Sequence, residues 1–422
     1  MKKFFKYFFI VLGVVLILAG GAGLYIHFTG IPKYEVHKID YKVEATPARL
    51  ERGKKLVSML CVGCHFNETT NGLTGKRMAD LPPAFGTVYS RNITKDPTFG
   101  IGKWSDADIV YLLRTGLKPD GQYVPPYMVK LPHISDEDMA SIITFIRSDD
   151  PLVQPQAIQD TDCKPTFLVK FLSRVAFKPF DYPTQPIATP LVTDRVAYGK
   201  YLVNDVLKCY ECHSADFKTN NAFEPVKSEG YMAGDNELLD ISGKKIYTPN
   251  LTTDPGTNIS KWSEQQFVRT IKEGFRPDNS PLRYPMERLP ELTDEEAGAI
   301  YAYLKTVPAI KKDRRPAENI VTTAGMNAGQ QVYHKYMCYT CHGEAGAGVC
   351  DLRKAGQKYP ADSSLIAWIK NPSKIVPGTK MPNWEGVIGE DEYQPLAQYV
   401  RALGEQARLG GDATKASMTA PH

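Results

Sequence analysis

CVGCH at residues 61–65, CYECH at 209–213 and CYTCH at 338–342 decide how this chain is read. Each places two thiols one helical turn apart with a histidine directly after: Cys61, Cys64 and His65; Cys209, Cys212 and His213; Cys338, Cys341 and His342. Thiols so spaced can add to the two vinyl groups on one edge of a haem, and the next imidazole then projects toward the iron. CxxCH therefore reads as a c-type haem attachment site. Half a zinc site would need two further ligands close by, and no second CxxC or HxxxH accompanies any copy. A thioredoxin-type pair would need a strand–helix–strand setting, which none of them has. Of the eight cysteines, Cys163 and Cys350 are left over. They form either two separate thiols or a disulfide, the latter only if their Cα atoms lie within about 7 Å.

Outward from the motifs, the chain repeats. A glycine precedes each one inside a short helical stretch: Gly53, Gly199 and Gly329. Glycine weakens a helix, so its place here predicts that another helix crosses close by. Candidates for the crossing helix follow at 135–148, 293–306 and 390–403, with Phe145, Tyr303 and Tyr399 near the contact. Ser135 with Asp138, and Thr293 with Glu296, are N-terminal capping signals. Between these helices, RNITKDPTFGIGKWSDADIVYLLRTGLKPDGQYVPPYM (91–128) matches PNLTTDPGTNISKWSEQQFVRTIKEGFRPDNSPLRYPM (249–286) in register. Asn92, Asp96, Trp104, Gly116 and Met128 correspond to Asn250, Asp254, Trp262, Gly274 and Met286, which signals duplication. The third segment is shorter and carries SKIVPGTKMPNW instead.

An iron held by histidine on one side needs a second ligand unless it is catalytic. Only eight histidines exist, and none lies between His213 and His334. Methionine is the better candidate: Met128 and Met286 sit at equivalent repeat positions in Pro-containing loops, and Met381 holds the same place in the third segment. Methionine usually fills cores, but such loops are poor places for that. Met78 and His133 are the alternatives in the first segment and Met232 in the second. A thioether ligand raises the iron's potential, and a six-coordinate iron offers no position for oxygen, peroxide or nitrite. Electron transfer is favoured over catalysis. An enzyme would need one iron without its methionine, and the diverged third segment is where to look. A redox sensor lacks a recognisable signalling domain. Trp104 and Trp262 read equally as haem neighbours or core residues, and Asn92 and Asn250 as loop fixers. His27, His37 and His422 read as surface or interface residues, and His334 as an ordinary helical histidine.

At the N-terminus, Lys2, Lys3 and Lys6 precede an uncharged run from Tyr7 to Ile26. Its 20 residues would make a helix of roughly 30 Å, a membrane-spanning length. The lysines predict that this end stays cytoplasmic and the remainder is exported. A cleaved signal peptide, cut near Ala19-Gly20-Gly21-Ala22, is the alternative. The net charge of +4 over 422 residues is close to neutral, with no basic stripe interleaved with aromatics, so nucleic-acid binding has no support.

With its three CxxCH motifs, NITKDPTFGIGKWSDADI and PPYM, NLTTDP…KWSEQQF…YPM, and the aromatic-rich KPTFLVKFLSRVAFKPF before RVAYGKYLV, the chain resembles the three-haem cytochrome c subunit of membrane-bound alcohol, aldehyde and gluconate dehydrogenases. The resemblance runs from about Pro47 to Leu403. It implies three covalently bound haems c on the six motif cysteines, with His65 and Met128, His213 and Met286, and His342 and Met381 as axial ligands. It also implies a subunit that receives electrons from a catalytic partner. Three departures stand out, one of them an N-terminal anchor in place of the removable signal expected for the family. Met128 is followed by Val129 and Lys130 rather than by a Pro-rich segment, and the third segment has Gly348-Val349-Cys350-Asp351-Leu352 in place of Gly-Pro-x-Leu. The latter leaves open which carbonyl holds His342, and the partner stays open among a dehydrogenase, a quinol-linked complex and an oxidase. The expected architecture is all-α: a transmembrane anchor over 1–30, cytochrome c-like domains over 45–150, 193–310 and 322–406, a linker over 151–192 and a disordered tail over 407–422. The expected location is the inner membrane, single-pass, with the haem domains on the periplasmic side.

Overall fold

The computed structural model is mostly helical, with four strands of two or three residues among the described residues. It describes residues 2–78, 81–312, 325–348, 350–376 and 379–418. His422 and the first residues of the expected third domain, 322–324, lie outside the described residues, as does Val349. The chain divides into two compact units, Met1–Thr189 and Pro190–His422.

The first unit opens with α1 (Lys2–Thr29), whose mean hydropathy reaches 2.5. Among the described residues it is the one helix long and apolar enough to cross a membrane. Beyond it the chain is stitched onto the domain it precedes. The Tyr34 amide donates to the Gly121 carbonyl at 2.9 Å, Lys33 pairs with Asp120 at 2.9 Å, and the Val43 amide donates to Asp106 at 3.1 Å. Next come α2 (Pro47–Leu60), α3 (Val62–His65), α4 (Asp106–Thr115), α5 (Asp136–Arg147) and α6 (Phe167–Val175). The segment 151–192, expected as a linker, instead packs back on this unit. β2 (Lys164–Pro165) pairs antiparallel with β1 (Gly86–Thr87), and the Tyr182 ring stacks on Tyr111 at 5.7 Å. Apolar side chains spaced for one helical face make α6 more than a spacer, and Arg174 on it donates to Thr29 Oγ1 at 2.6 Å and to the Gly30 carbonyl at 2.8 Å.

The second unit contains α7 (Arg195–Tyr201), α8 (Cys209–His213), the hairpin of β3 (Glu237–Leu239) and β4 (Lys245–Tyr247), α9 (Asn258–Lys261), α10 (Glu264–Glu273) and α11 (Asp294–Leu304). There follow α12 (Ala328–Lys335), α13 (Tyr339–His342), α14 (Ala355–Lys358), α15 (Asp362–Lys370), α16 (Pro372–Ile375) and α17 (Tyr393–Met418). The second and third motif segments fall in one unit. Phe275 of the second segment joins them: it is buried in the core that Tyr333, Trp384, Tyr393 and Leu396 build in the third. The helix α17 runs to Met418; 419–422 lie outside the described residues.

The glycine crossings occur as the sequence predicts. A Cβ on Gly53 would lie 1.9 Å from the Ser141 carbonyl oxygen and 2.9 Å from Phe145 Cβ. On Gly199 it would lie 1.9 Å from the Ala299 oxygen and 3.0 Å from Tyr303 Cβ, and on Gly329 it would lie 2.3 Å from the Pro395 oxygen and 2.5 Å from Tyr399 Cβ. In each pair the helix before the motif touches backbone on the helix after it, which only a residue without a side chain allows. Ser135 and Thr293 cap their helices, accepting from the Asp138 and Glu296 amides, and Glu296 closes a full capping box.

Candidate functional site

Each crossing delivers a motif to the same kind of place. The Cys61 amide still donates to the Val57 carbonyl at 2.9 Å, so α2 runs straight into the first thiol. In the other two, Lys208 (φ 52°) and Met337 (φ 54°) break the helix one residue before the first cysteine. The motif then forms a single turn, α3, α8 or α13, which sets both thiols on one side and the histidine at its end. Burial pushes the leading thiols Cys61, Cys209 and Cys338 up to about 12, and the companion thiol adds to the shift in each. That is the opposite of the depressed thiol of an exchange centre. Among the described residues no cluster of three or more His, Cys, Asp or Glu could hold a bare metal ion.

The three histidines share one orientation. His65 Nδ1 donates to the Arg91 carbonyl at 2.7 Å, His213 Nδ1 to the Pro249 carbonyl at 3.1 Å, and His342 Nδ1 to the Cys350 carbonyl at 3.1 Å. A carbonyl only accepts, so the proton sits on Nδ1 and the lone pair on Nε2 is free to bind iron. Burial lowers all three imidazoles below the usual histidine range, against the pull of those carbonyls, and keeps them neutral. Cys350 thereby answers which carbonyl holds the third histidine. Cys163 Sγ exchanges hydrogen bonds with the Tyr89 backbone at 3.3 and 3.4 Å. Paired thiols beside a neutral imidazole with an open Nε2 are the donor set that haem c requires, so the residues fit that group.

Sequence reading missed Arg91 and Pro249, because a carbonyl acceptor leaves no mark in residue type. The available signal was the neighbour. Asn92 Nδ2 donates to the Gln156 and Ile158 carbonyls at 2.9 and 3.0 Å, while its Oδ1 accepts from the Thr94 amide and hydroxyl at 3.0 and 2.7 Å. Asn250 repeats this with Ile310 at 2.8 Å and with the Thr252 amide and hydroxyl at 2.8 and 2.7 Å. The asparagines thus fix the chain one residue past each histidine's acceptor.

Met128 and Met286 occupy matching turns, their amides donating to the Pro125 and Arg283 carbonyls at 3.2 and 2.9 Å. Met381 packs against the third-segment core. Of the alternatives, Met232 is fully buried and Met78 donates its amide to the Val88 carbonyl at 2.9 Å. Trp104 and Trp262 are half-buried, and their carbonyls accept from Arg147 and from the Tyr301 hydroxyl. His334 is buried, with Nε2 paired to Glu344 at 3.0 Å, its ring stacked on Tyr339 and its Nδ1 without a hydrogen-bond partner. His27 lends its carbonyl to Lys170, and the His37 amide donates to the Tyr111 hydroxyl.

Comparison with known proteins gives a consistent picture. The family model described as "Cytochrome c" matches residues 50–149 and 196–308, and the model of the cbb3-type cytochrome c oxidase subunit III matches 324–400. The cytochrome c subunit of the quinone-linked alcohol dehydrogenase of Gluconobacter oxydans is 30% identical over 398 residues, covering 85% of this chain and 79% of that one. The fructose dehydrogenase cytochrome subunit of Gluconobacter japonicus is 27% identical, covering 88% and 84%. The gluconate 2-dehydrogenase cytochrome c subunit of Pantoea cypripedii is 25% identical, covering 89% of each.

Proposed function

Because the chain belongs to the cytochrome c family and is an electron-transfer protein akin to dehydrogenase cytochrome subunits, we propose that it is a membrane-anchored relay of three covalently bound haems c. Each haem, once attached, would supply an iron that takes up and releases one electron. The carrying observation is the threefold recurrence of one geometry: a paired-thiol turn, a histidine held through Nδ1 by a backbone carbonyl, and a glycine crossing behind it.

In this reading Cys61 and Cys64, Cys209 and Cys212, and Cys338 and Cys341 hold the porphyrins, and His65, His213 and His342 are the proximal ligands. Met128, Met286 and Met381 would supply thioether ligands, which would favour reduced iron and keep small ligands from it. Three cytochrome c-like domains over 45–150, 193–310 and 322–406 are supported by family matches that each enclose one motif. The helix α1 anchors the chain in the cytoplasmic membrane with the haems on the periplasmic side, supported by its length, its hydropathy and the three lysines at its N-terminal end. The donor is a dehydrogenase subunit, in keeping with the names of the relatives, and the acceptor is a quinone pool or a further respiratory protein.

The decisive experiment is haem stoichiometry in natively matured protein. Haem-linked peroxidase staining on a denaturing gel and about three pyridine haemochrome equivalents per chain are expected. Fewer than three equivalents would refute the relay, and purification without any dehydrogenase subunit from detergent-solubilised membranes would refute that donor.

A further inference from the structure

Within the unit Pro190–His422, the second and third motif segments meet around Arg288. Its guanidinium is buried, with 7% of the residue exposed. Nη2 donates to the Thr379 carbonyl at 2.8 Å and to Ser373 Oγ at 3.1 Å, and Nε donates to the Lys380 carbonyl at 3.2 Å. Those two carbonyls immediately precede Met381, and Arg288 itself lies two residues past Met286. The contact is built up on several sides. Lys380 pairs with Glu291 at 2.7 Å, Pro382 lies over Gly274, and the Phe275 ring meets Trp384 edge-on at 5.0 Å.

The first segment supplies an internal comparison. Lys130 stands at the repeat position equivalent to Arg288, and its Nζ donates to the Pro125 carbonyl at 2.7 Å, inside its own loop. A single ammonium suits one loop, whereas a planar fork can span two successive carbonyls and a hydroxyl. The same position that closes a loop in the first copy reaches into another segment in the second.

We propose that Arg288 is a positioning residue for Met381, fixing the peptide before it so that the thioether of the third site is held by the loop of the second. This rests on the reading of Met381 as an axial ligand. An iron–thioether bond is readily displaced, so its persistence depends on a backbone that cannot carry the sulfur away. Freeing residues 379–380 lets the loop move, lowers the potential of that one site and opens it to added ligands.

The test compares native holoprotein with R288A, R288K and M381A, using the thioether–iron absorption near about 700 nm, carbon monoxide binding to the reduced protein, and a redox titration. M381A defines complete loss at the third site, about one third of the band if each haem contributes equally. R288A is expected to lose most of that same third, to bind carbon monoxide at about one haem per chain, and to show one lowered potential with the other two unchanged. R288K, which keeps the charge and the stem but not the fork, is expected to fall between. Native band, carbon monoxide insensitivity and potentials in R288A overturn the proposal; should R288A fail to mature, native values in R288K do so. A native spectrum in M381A would instead show that Met381 is not the ligand, a distinct failure.

Discussion

Gly53→Ala isolates the helix crossing on which the first site depends. The added Cβ would sit 1.9 Å from the Ser141 carbonyl oxygen, where real Cβ atoms stay beyond 3.0 Å, so α2 and α5 must separate by more than about 1 Å. The obstacle is backbone, which cannot swing aside as a side-chain tip would. Phe145, 1% exposed, would lose contact as the helices part. Overpacking of this kind costs about 1–3 kcal/mol, and a backbone clash belongs at about 3. Against it stands the gain of about 1 kcal/mol from replacing glycine by alanine in a helix. The net loss is about 2 kcal/mol, or roughly 4–8 °C in melting temperature for a unit of this size. Urea titration of the matured protein, followed by haem absorption, measures it. The sign is the test: without a close crossing the alanine should stabilise, so equal or greater stability in G53A would refute the reasoning.

Other consequences are open to measurement. Asn250→Ala leaves the Ile310 carbonyl and the Thr252 amide without their partner and should cost about 1–3 kcal/mol in urea titration; an unchanged midpoint would count against the loop-fixing role. Amides of Phe99 and Thr98 point at Asp96 and hold its carboxyl below the usual range, with burial opposing them. A depressed folded-state value means the stabilisation is present above the unfolded value, about 4, and is lost as pH falls through the folded one. Asp96→Asn should therefore flatten the acid side of the stability profile, and an identical profile would remove Asp96 from that account. Met128→Ala should abolish one thioether band near about 700 nm while all haem stays attached; an intact band would pass the ligand role to Met78 or His133. Deleting residues 2–29 behind a cleavable export signal should release the protein from washed membranes, and continued sedimentation with them would mean that something other than α1 holds it.

The site was legible where chemistry demands a residue type. Two thiols and an imidazole cannot be replaced at CxxCH, and the crossing tolerates nothing larger than Gly53, Gly199 or Gly329, so both left their mark. The partners Phe145, Tyr303 and Tyr399 followed from helical spacing. Backbone acceptors were not legible, since any residue offers a carbonyl: Arg91, Pro249 and Cys350 share no side-chain property. The packing of 151–192 was hidden for a related reason, as strand β2 and the Tyr182 stack depend on long-range partners that local composition does not specify. The joining of the second and third segments depends on Phe275 and Arg288, which look like unremarkable loop residues until the third segment is laid beside them.

The stretch between Gly30 and Thr46 has a mechanical meaning. A free chain of that length would let its cargo wander by roughly 20 Å, but Lys33, Tyr34 and Val43 fasten it along the domain like battens. On the proposed reading of α1 as an anchor, the first domain would ride at a constant height on that stalk instead of swinging from a leash. Encounters with a neighbour anchored in the same bilayer would then reduce to a search across a plane.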